Sequence, residues 1–125
     1  MTLGTWAAFL AAAAVGAPVR YLVDRFIGER VAGVFPWGTL AVNASGSLLA
    51  GFVAGLGLYH SLPSAPATVA GAGFCGAYTT FSTFAFETVR LLEEGAVDAA
   101  LGNVAATVVS GAAAAAAGLA LAAAL

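Results

Sequence analysis

Residues 71–84 read Gly-Ala-Gly-Phe-Cys-Gly-Ala-Tyr-Thr-Thr-Phe-Ser-Thr-Phe, and they restrict the possible folds more than any other stretch. They carry no charge and lie inside a long apolar segment, yet they are poor helix formers. Glycines stand at 71, 73 and 76, and hydroxyl residues at 79, 80, 82 and 83. Glycine costs backbone entropy in a helix, and clustered Ser and Thr offer the backbone competing hydrogen bonds. In hydrocarbon, a chain that leaves the helix must find a partner for every freed amide and carbonyl. Such breaks persist only where protein or a polar cavity surrounds them. Membrane transporters use them to present half-helix ends and bare carbonyls to ions. The stretch therefore predicts an ion site within residues 75–83.

Composition identifies hydrocarbon as the solvent in question. Of the 125 residues, 62% are hydrophobic and 8% are charged, against roughly 25% charged in soluble domains. A spanning helix needs about 20 mostly apolar residues, and four segments qualify: 2–19, 36–59, 66–87 and 99–124. Pro18 and Arg20 are expected to end the first. Residues 20–30 mix charge with apolar residues at helical spacing and are expected to lie along the interface. The third segment contains the break. The first segment lacks a basic leader and is long enough to span, so it reads as a retained helix rather than a cleaved signal. The expectation is one integral membrane domain over residues 1–125, in contact with lipid and without linker or internal repeat.

Four spans put both termini on one side. Arg20, Arg25, Arg30 and Arg90 all fall at the two loops on the other side, and lysine is absent. By the positive-inside rule those loops are expected in the cytoplasm. No basic tract exists for nucleic acid, and no Gly-x4-Gly-Lys-Ser/Thr loop exists for nucleotide phosphates. Cys75 is the only cysteine, and no histidine or cysteine cluster suggests zinc. Nothing points to an enzyme.

The polar residues inside the spans need partners. Asn43 either hydrogen-bonds a neighbouring helix or turns its N–H groups toward an anion. Asn103, Thr107, Ser110 and Gly111 recur along one stripe of the last segment, either a packing seam or a water-filled track. Phe81 and Phe84 share a helical face, and aromatic ring edges are electropositive. Arg20 either snorkels to the headgroups or forms a cationic vestibule. Glu87 is expected to pair with Arg90, three residues on. His60 reads as a solvated residue at a helix end. Gly51 and Gly55 form a small-xxx-small pair that packs either within the chain or against a second copy.

Three stretches together resemble the CrcB/Fluc family of fluoride channels. They are Gly16-Ala-Pro-Val-Arg-Tyr21, Gly38-Thr-Leu-Ala-Val-Asn-Ala-Ser-Gly46 and Gly73-Phe-Cys-Gly-Ala-Tyr-Thr-Thr-Phe-Ser-Thr-Phe84. The resemblance implies an all-α membrane protein of four transmembrane helices with a broken third helix, assembling as an antiparallel dual-topology dimer around two pores. It also implies a passive, fluoride-selective channel in a prokaryotic plasma (inner) membrane, exporting fluoride from the cytoplasm and conferring fluoride resistance. Carried onto this chain, the fluoride pore falls to Asn43, Phe81, Ser82, Thr83, Phe84, Thr107 and Ser110. Arg20 takes the vestibule position and Glu87 an acidic position beyond the phenylalanine pair. A structural sodium ion at the dimer centre is implied, held by the backbone carbonyls of Gly76 and Thr79.

This chain also departs from the pattern. Asn103 stands where members often carry Tyr, Thr107 where they carry Ser, and Ala77 replaces the second glycine of a pair. A homodimer is the first expectation for the partner. The one-sided arginines also admit an oppositely oriented paralogue. The rival reading is a small dual-topology multidrug/proton exchanger. That chemistry wants a carboxylate deep in the membrane, and only Glu87, at the end of the third segment, comes near.

Overall fold

The computed structural model describes residues Met1–Leu125, and every regular element in it is helical. Helix α1 (Leu3–Gly28) starts at Thr2, whose hydroxyl accepts the Thr5 amide at 3.2 Å and so fills the N-cap role. The helix does not end at Pro18 but runs on to Gly28. A proline ring removes one backbone bond. In an apolar setting the neighbouring amides have no water to turn to, so the helix continues through it. The stretch expected to lie separately along the interface is thus the last turns of α1. There Arg25 Nε bonds Glu29 Oε1 at 2.6 Å, and the Arg30 guanidinium sits 3.5 Å from the Phe26 ring centre.

Helices α2 (Trp37–Tyr59) and α6 (Val97–Ala123) run parallel and in close contact. A Cβ on Gly51 would overlap the Ala115 carbonyl oxygen, and one on Gly118 would overlap that of Leu48. Gly55 abuts Leu119 and Ala122 in the same register. The Gly51–Gly55 pair therefore packs within the chain. Where lipid replaces water, helices associate by van der Waals contact, and small residues permit the approach. His60 is exposed at the end of α2, as expected, and it also joins this pairing. Its Nε2 lies 2.7 Å from the Ala122 carbonyl and ties the end of α2 to the end of α6.

The third helix comes in two halves. Helix α3 (Ser64–Thr68), a π-helical turn (Val69–Cys75) and α4 (Gly76–Tyr78) form one continuous rod. Thr79 and Thr80 are then extended, with ψ of 161° and 122°, before α5 (Phe81–Glu93) begins. The rod lies along α1, where Gly16 meets the Phe74 carbonyl and Gly73 meets Phe9 and Ala12. Neither half has the about 20 residues a crossing needs. Helices α1, α2 and α6 are the three long and apolar enough to cross a membrane.

Only 16 of the 125 residues are buried, and large apolar side chains are exposed on α1, α2, α5 and α6. Surface of that kind is suited to lipid or to a second chain, not to water.

Candidate functional site at the helix break

Thr80 is the hinge, and Asn43 on α2 holds it. The Asn43 carboxamide donates from Nδ2 to the Thr80 carbonyl at 2.9 Å, and its Oδ1 accepts the Thr80 amide at 2.8 Å. One side chain thus replaces both helical partners of the broken residue. Thr80 in turn caps α5. Its Oγ1 accepts the Thr83 amide at 3.2 Å and donates to Thr83 Oγ1 at 3.0 Å.

The break leaves the carbonyls of Gly76, Ala77, Tyr78 and Thr79 without their helical partners; two of these, Gly76 and Thr79, are the ones the family resemblance implies for the cation. In an unbroken α-helix the Thr80 N–H would close on the Gly76 carbonyl, and the Thr83 N–H on that of Thr79. Both donors are spent on side chains instead, so the oxygens of Gly76 and Thr79 are released. The Cys75 carbonyl, by contrast, accepts from both the amide and the hydroxyl of Thr79, each at 2.9 Å. Gly76 is exposed, and a Cβ placed there would meet nothing within 4 Å. Uncharged oxygens on an open face are a donor set for a hard cation. No group of three or more His, Cys, Asp or Glu side chains exists to hold a metal.

Beside the break opens a groove of ≈ 310 Å³, lined by Asn43, Ser47, Thr79, Thr80, Phe81, Phe84, Thr107, Val108 and Gly111. The Phe81 and Phe84 rings stand 5.6 Å apart, inclined at 55°. Phe81 is 78% exposed, so the groove is open to the outside of the chain. The donors facing this space can be counted off. Asn43 Nδ2 carries a second proton beyond the one given to Thr80. The Ser47 hydroxyl makes no hydrogen bond within the chain, and the Thr107 proton is held only by a long, 3.5 Å contact to Asn103 Oδ1. The hydroxyl protons of Thr79 and Thr80 are already engaged. The groove therefore offers free donors beside two aromatic rings, without any ionised group.

Four of the expected pore residues, Asn43, Phe81, Phe84 and Thr107, meet in this groove. Ser82 is exposed beside the hinge, its Oγ 3.4 Å from that of Thr80. Thr83 faces a different cavity. The Ser110 hydroxyl is buried on α6 with no partner. Thr80 falls inside the ion site expected over residues 75–83, but neither it nor Ser47 is among the expected pore residues. Ser47 follows Asn43 by four residues, and Thr39 precedes it by four, a stripe that helical periodicity marks.

The second cavity, of ≈ 180 Å³, is lined by Arg20, Tyr21, Asp24, Thr39, Val42, Thr80 and Thr83. Thr80 lines both spaces, so the two lie on either side of the hinge. Arg20 and Asp24 are one turn apart on α1, yet neither is in a salt bridge, the chain's ion pairs being Arg25–Glu29 and Arg90–Glu94. The expected Glu87–Arg90 pair does not form. Arg90 Nε faces Glu94 at 3.7 Å, while Glu87 turns inward and its Oε1 accepts from Thr39 Oγ1 at 3.0 Å. Glu87 Oε2 is buried without a partner. On α6, Asn103 is a packing residue. It is fully buried and donates from Nδ2 to Thr88 Oγ1 at 3.0 Å.

Comparison with known proteins gives the family. The family described as CrcB-like protein, Camphor Resistance (CrcB) matches residues 7–119. The chain is similar to the fluoride-specific ion channel FluC 2 of Mycobacterium bovis, 46% identical over 92% of this chain and 88% of the relative. It is also similar to the fluoride-specific ion channel FluC 1 of Frankia casuarinae, 48% identical over 94% of this chain and 95% of the relative. A third relative, FluC 1 of Thermobifida fusca, is 48% identical over 86% of this chain and 87% of its own length. An all-helical, multi-pass membrane chain with a broken helix, matched over nearly its whole length, it belongs to the CrcB family.

Proposed function

We propose that this chain is a fluoride-selective passive channel that carries fluoride out of the cytoplasm and confers fluoride resistance; it is a transporter, not an enzyme. The observation that carries the reading is the uncharged groove where Asn43, Ser47 and Thr107 keep free donors beside the rings of Phe81 and Phe84. Fluoride is small and tightly hydrated, so a selective path must replace its water with close, neutral donors. Ring edges add positive potential without a fixed charge that would trap the ion. Similarity to fluoride-specific ion channels over more than nine-tenths of the chain supports this choice of ion.

In this reading Arg20 draws anions into the smaller cavity by its charge, with Glu87 beside the mouth. Thr83, whose own hydroxyl proton is free, passes the ion past Thr80 to the groove. Asn43, Phe81, Ser82, Phe84 and Thr107 line the path, and Ser110 extends it along α6. A second, antiparallel copy covers the exposed face of Phe81, so that two pores are closed by the pair. The released carbonyls of Gly76 and Thr79 from both copies hold a structural sodium ion at the centre. Neutral carbonyl oxygens suit a monovalent cation that stays in place. The whole chain, 1–125, is then one membrane domain, its third crossing made by two half-helices, in a prokaryotic plasma membrane. A homodimer is the first form proposed, and an oppositely oriented paralogue is the alternative partner.

Fluoride efflux from liposomes holding the purified protein tests this, read with a fluoride electrode after adding a potassium ionophore, beside a chloride control. Rapid fluoride release without chloride release is expected. Phe81→Ile keeps the bulk but removes the ring edge and is expected to slow release by about tenfold or more. Chloride release at a comparable rate would overturn the selectivity. A wild-type dimer that releases no fluoride would overturn the channel.

A further inference from the structure

Helices α5 and α6 run antiparallel, and four of their facing residues form a two-rung ladder. On α5, Phe84 and Thr88 lie one turn apart on the same face, and on α6 so do Thr107 and Asn103. The inner rung is bonded. Asn103, with 0% of its surface exposed, donates to Thr88 Oγ1 at 3.0 Å, and Thr88 Oγ1 donates to the Phe84 carbonyl at 2.8 Å. The outer rung is not bonded, since Phe84 and Thr107 both open onto the groove. Neither Asn103 nor Thr88 reaches that space.

We infer that Asn103 and Thr88 are positioning residues for conduction: their bonded rung sets the separation and facing of Phe84 and Thr107. Three features support this. Helix α5 is short and, at its first turn, has been cut from its own N-terminal half at Thr79 and Thr80. Its placement therefore depends on side chains from α2 and α6 rather than on a continuous helix. The Thr88 hydroxyl is oriented at both ends, accepting from Asn103 and donating to the residue whose ring lines the groove. A fully buried carboxamide that lost this partner would face a desolvation cost, so the rung resists slipping. The long 3.5 Å contact from Thr107 to Asn103 Oδ1 leaves the Thr107 proton free to turn into the groove while its helix is held in register.

The inference rests on the fluoride-channel reading, so its test has one readout that needs flux and one that does not. Thr88→Val cuts the rung at nearly constant volume, Thr88→Ser keeps it, and Asn103→Leu cuts it from the other side. Thr88→Val and Asn103→Leu are each expected to lower fluoride efflux about tenfold, and the two together to do no more than either alone. Thr88→Ser is expected to conduct like the wild type. In parallel, a fluorine label on the Phe84 ring should give one sharp 19F resonance in the wild type and Thr88→Ser, and a shifted or split one in Thr88→Val and Asn103→Leu. Wild-type flux in both rung-cutting variants, or equal losses in Thr88→Ser and Thr88→Val, would overturn the inference. Should Asn103→Leu fail to fold, the Thr88→Val and Thr88→Ser pair decides alone. A wild type without fluoride flux would sink the channel reading, while the 19F comparison would still decide whether the rung positions Phe84.

Discussion

Asn43 sits in the second turn of α2, and its carboxamide has two acceptor lone pairs and two N–H protons. The hydrogen bonds to both backbone groups of Thr80 use one acceptor site and one proton. The remaining proton is what the groove can use, so helix gluing and anion binding are compatible roles for this residue. Asn43→Asp separates them. A carboxylate still accepts the Thr80 amide, but it opposes the Thr80 carbonyl and puts a negative charge in the groove. Two like charges about 4 Å apart repel by about 4 kcal/mol at an effective dielectric of 20, on the order of a thousandfold in rate. Fluoride efflux from the assembled variant should fall accordingly, and efflux within about tenfold of wild type would remove Asn43 from the path. That Asn43 needed a partner was legible in the sequence. That the partner is Thr80 was not, because the two are 37 positions apart. Glu87 teaches the same lesson: Arg90 was the obvious local partner, and the actual one is Thr39, 48 positions away.

The break in the third helix follows from the order of its residues. Glycines lower the cost of leaving regular geometry before it, and Thr80 supplies the cap that restarts the helix after it. The extent of α1 does not follow so simply. Proline is a strong stop where water competes for the freed backbone, and a weak one where neighbouring turns have no alternative. The α2–α6 contact allows a direct test. At Gly118 any side chain would collide with the Leu48 carbonyl, whereas Gly57 has nothing within 4 Å of a Cβ. Gly118→Leu is expected to destabilise the fold by at least about 1–3 kcal/mol, as overpacking does, and Gly57→Leu to leave it nearly unchanged. Thermal unfolding in detergent compares them, and equal midpoints for the two variants would contradict the parallel packing of α2 on α6.

Gly76 bears on assembly. It adopts an ordinary helical φ of −63°, so its own backbone does not require glycine, and no side chain of this chain crowds it. In a pair whose axis passes the break, the second copy would fill that space. Gly76→Leu should therefore leave the far-ultraviolet circular dichroism of the folded chain intact. It should also reduce the particle from twice 12.2 kDa to a single chain, as read by light scattering with the detergent contribution removed. A dimer that survives the substitution would put the axis elsewhere. A wild-type chain that is itself single in detergent would favour the paralogue as partner.

Apolar length, scarce charge and a cluster of glycines and hydroxyl residues are properties of the chain read in order, and they suffice for a membrane protein with a broken helix. Which polar groups are spent and which remain free is a different kind of fact. It depends on the register of helices far apart in sequence: α2 on the break, α5 on α6, α1 on the rod. Helical periodicity gives the face on which Asn43, Ser47, Thr107 or Asn103 lies, but not the residue opposite. A hydrogen bond needs its partner within about 3 Å, and only the packed helices bring Asn43 to Thr80 and Asn103 to Thr88 while leaving the Ser47 hydroxyl open to the groove.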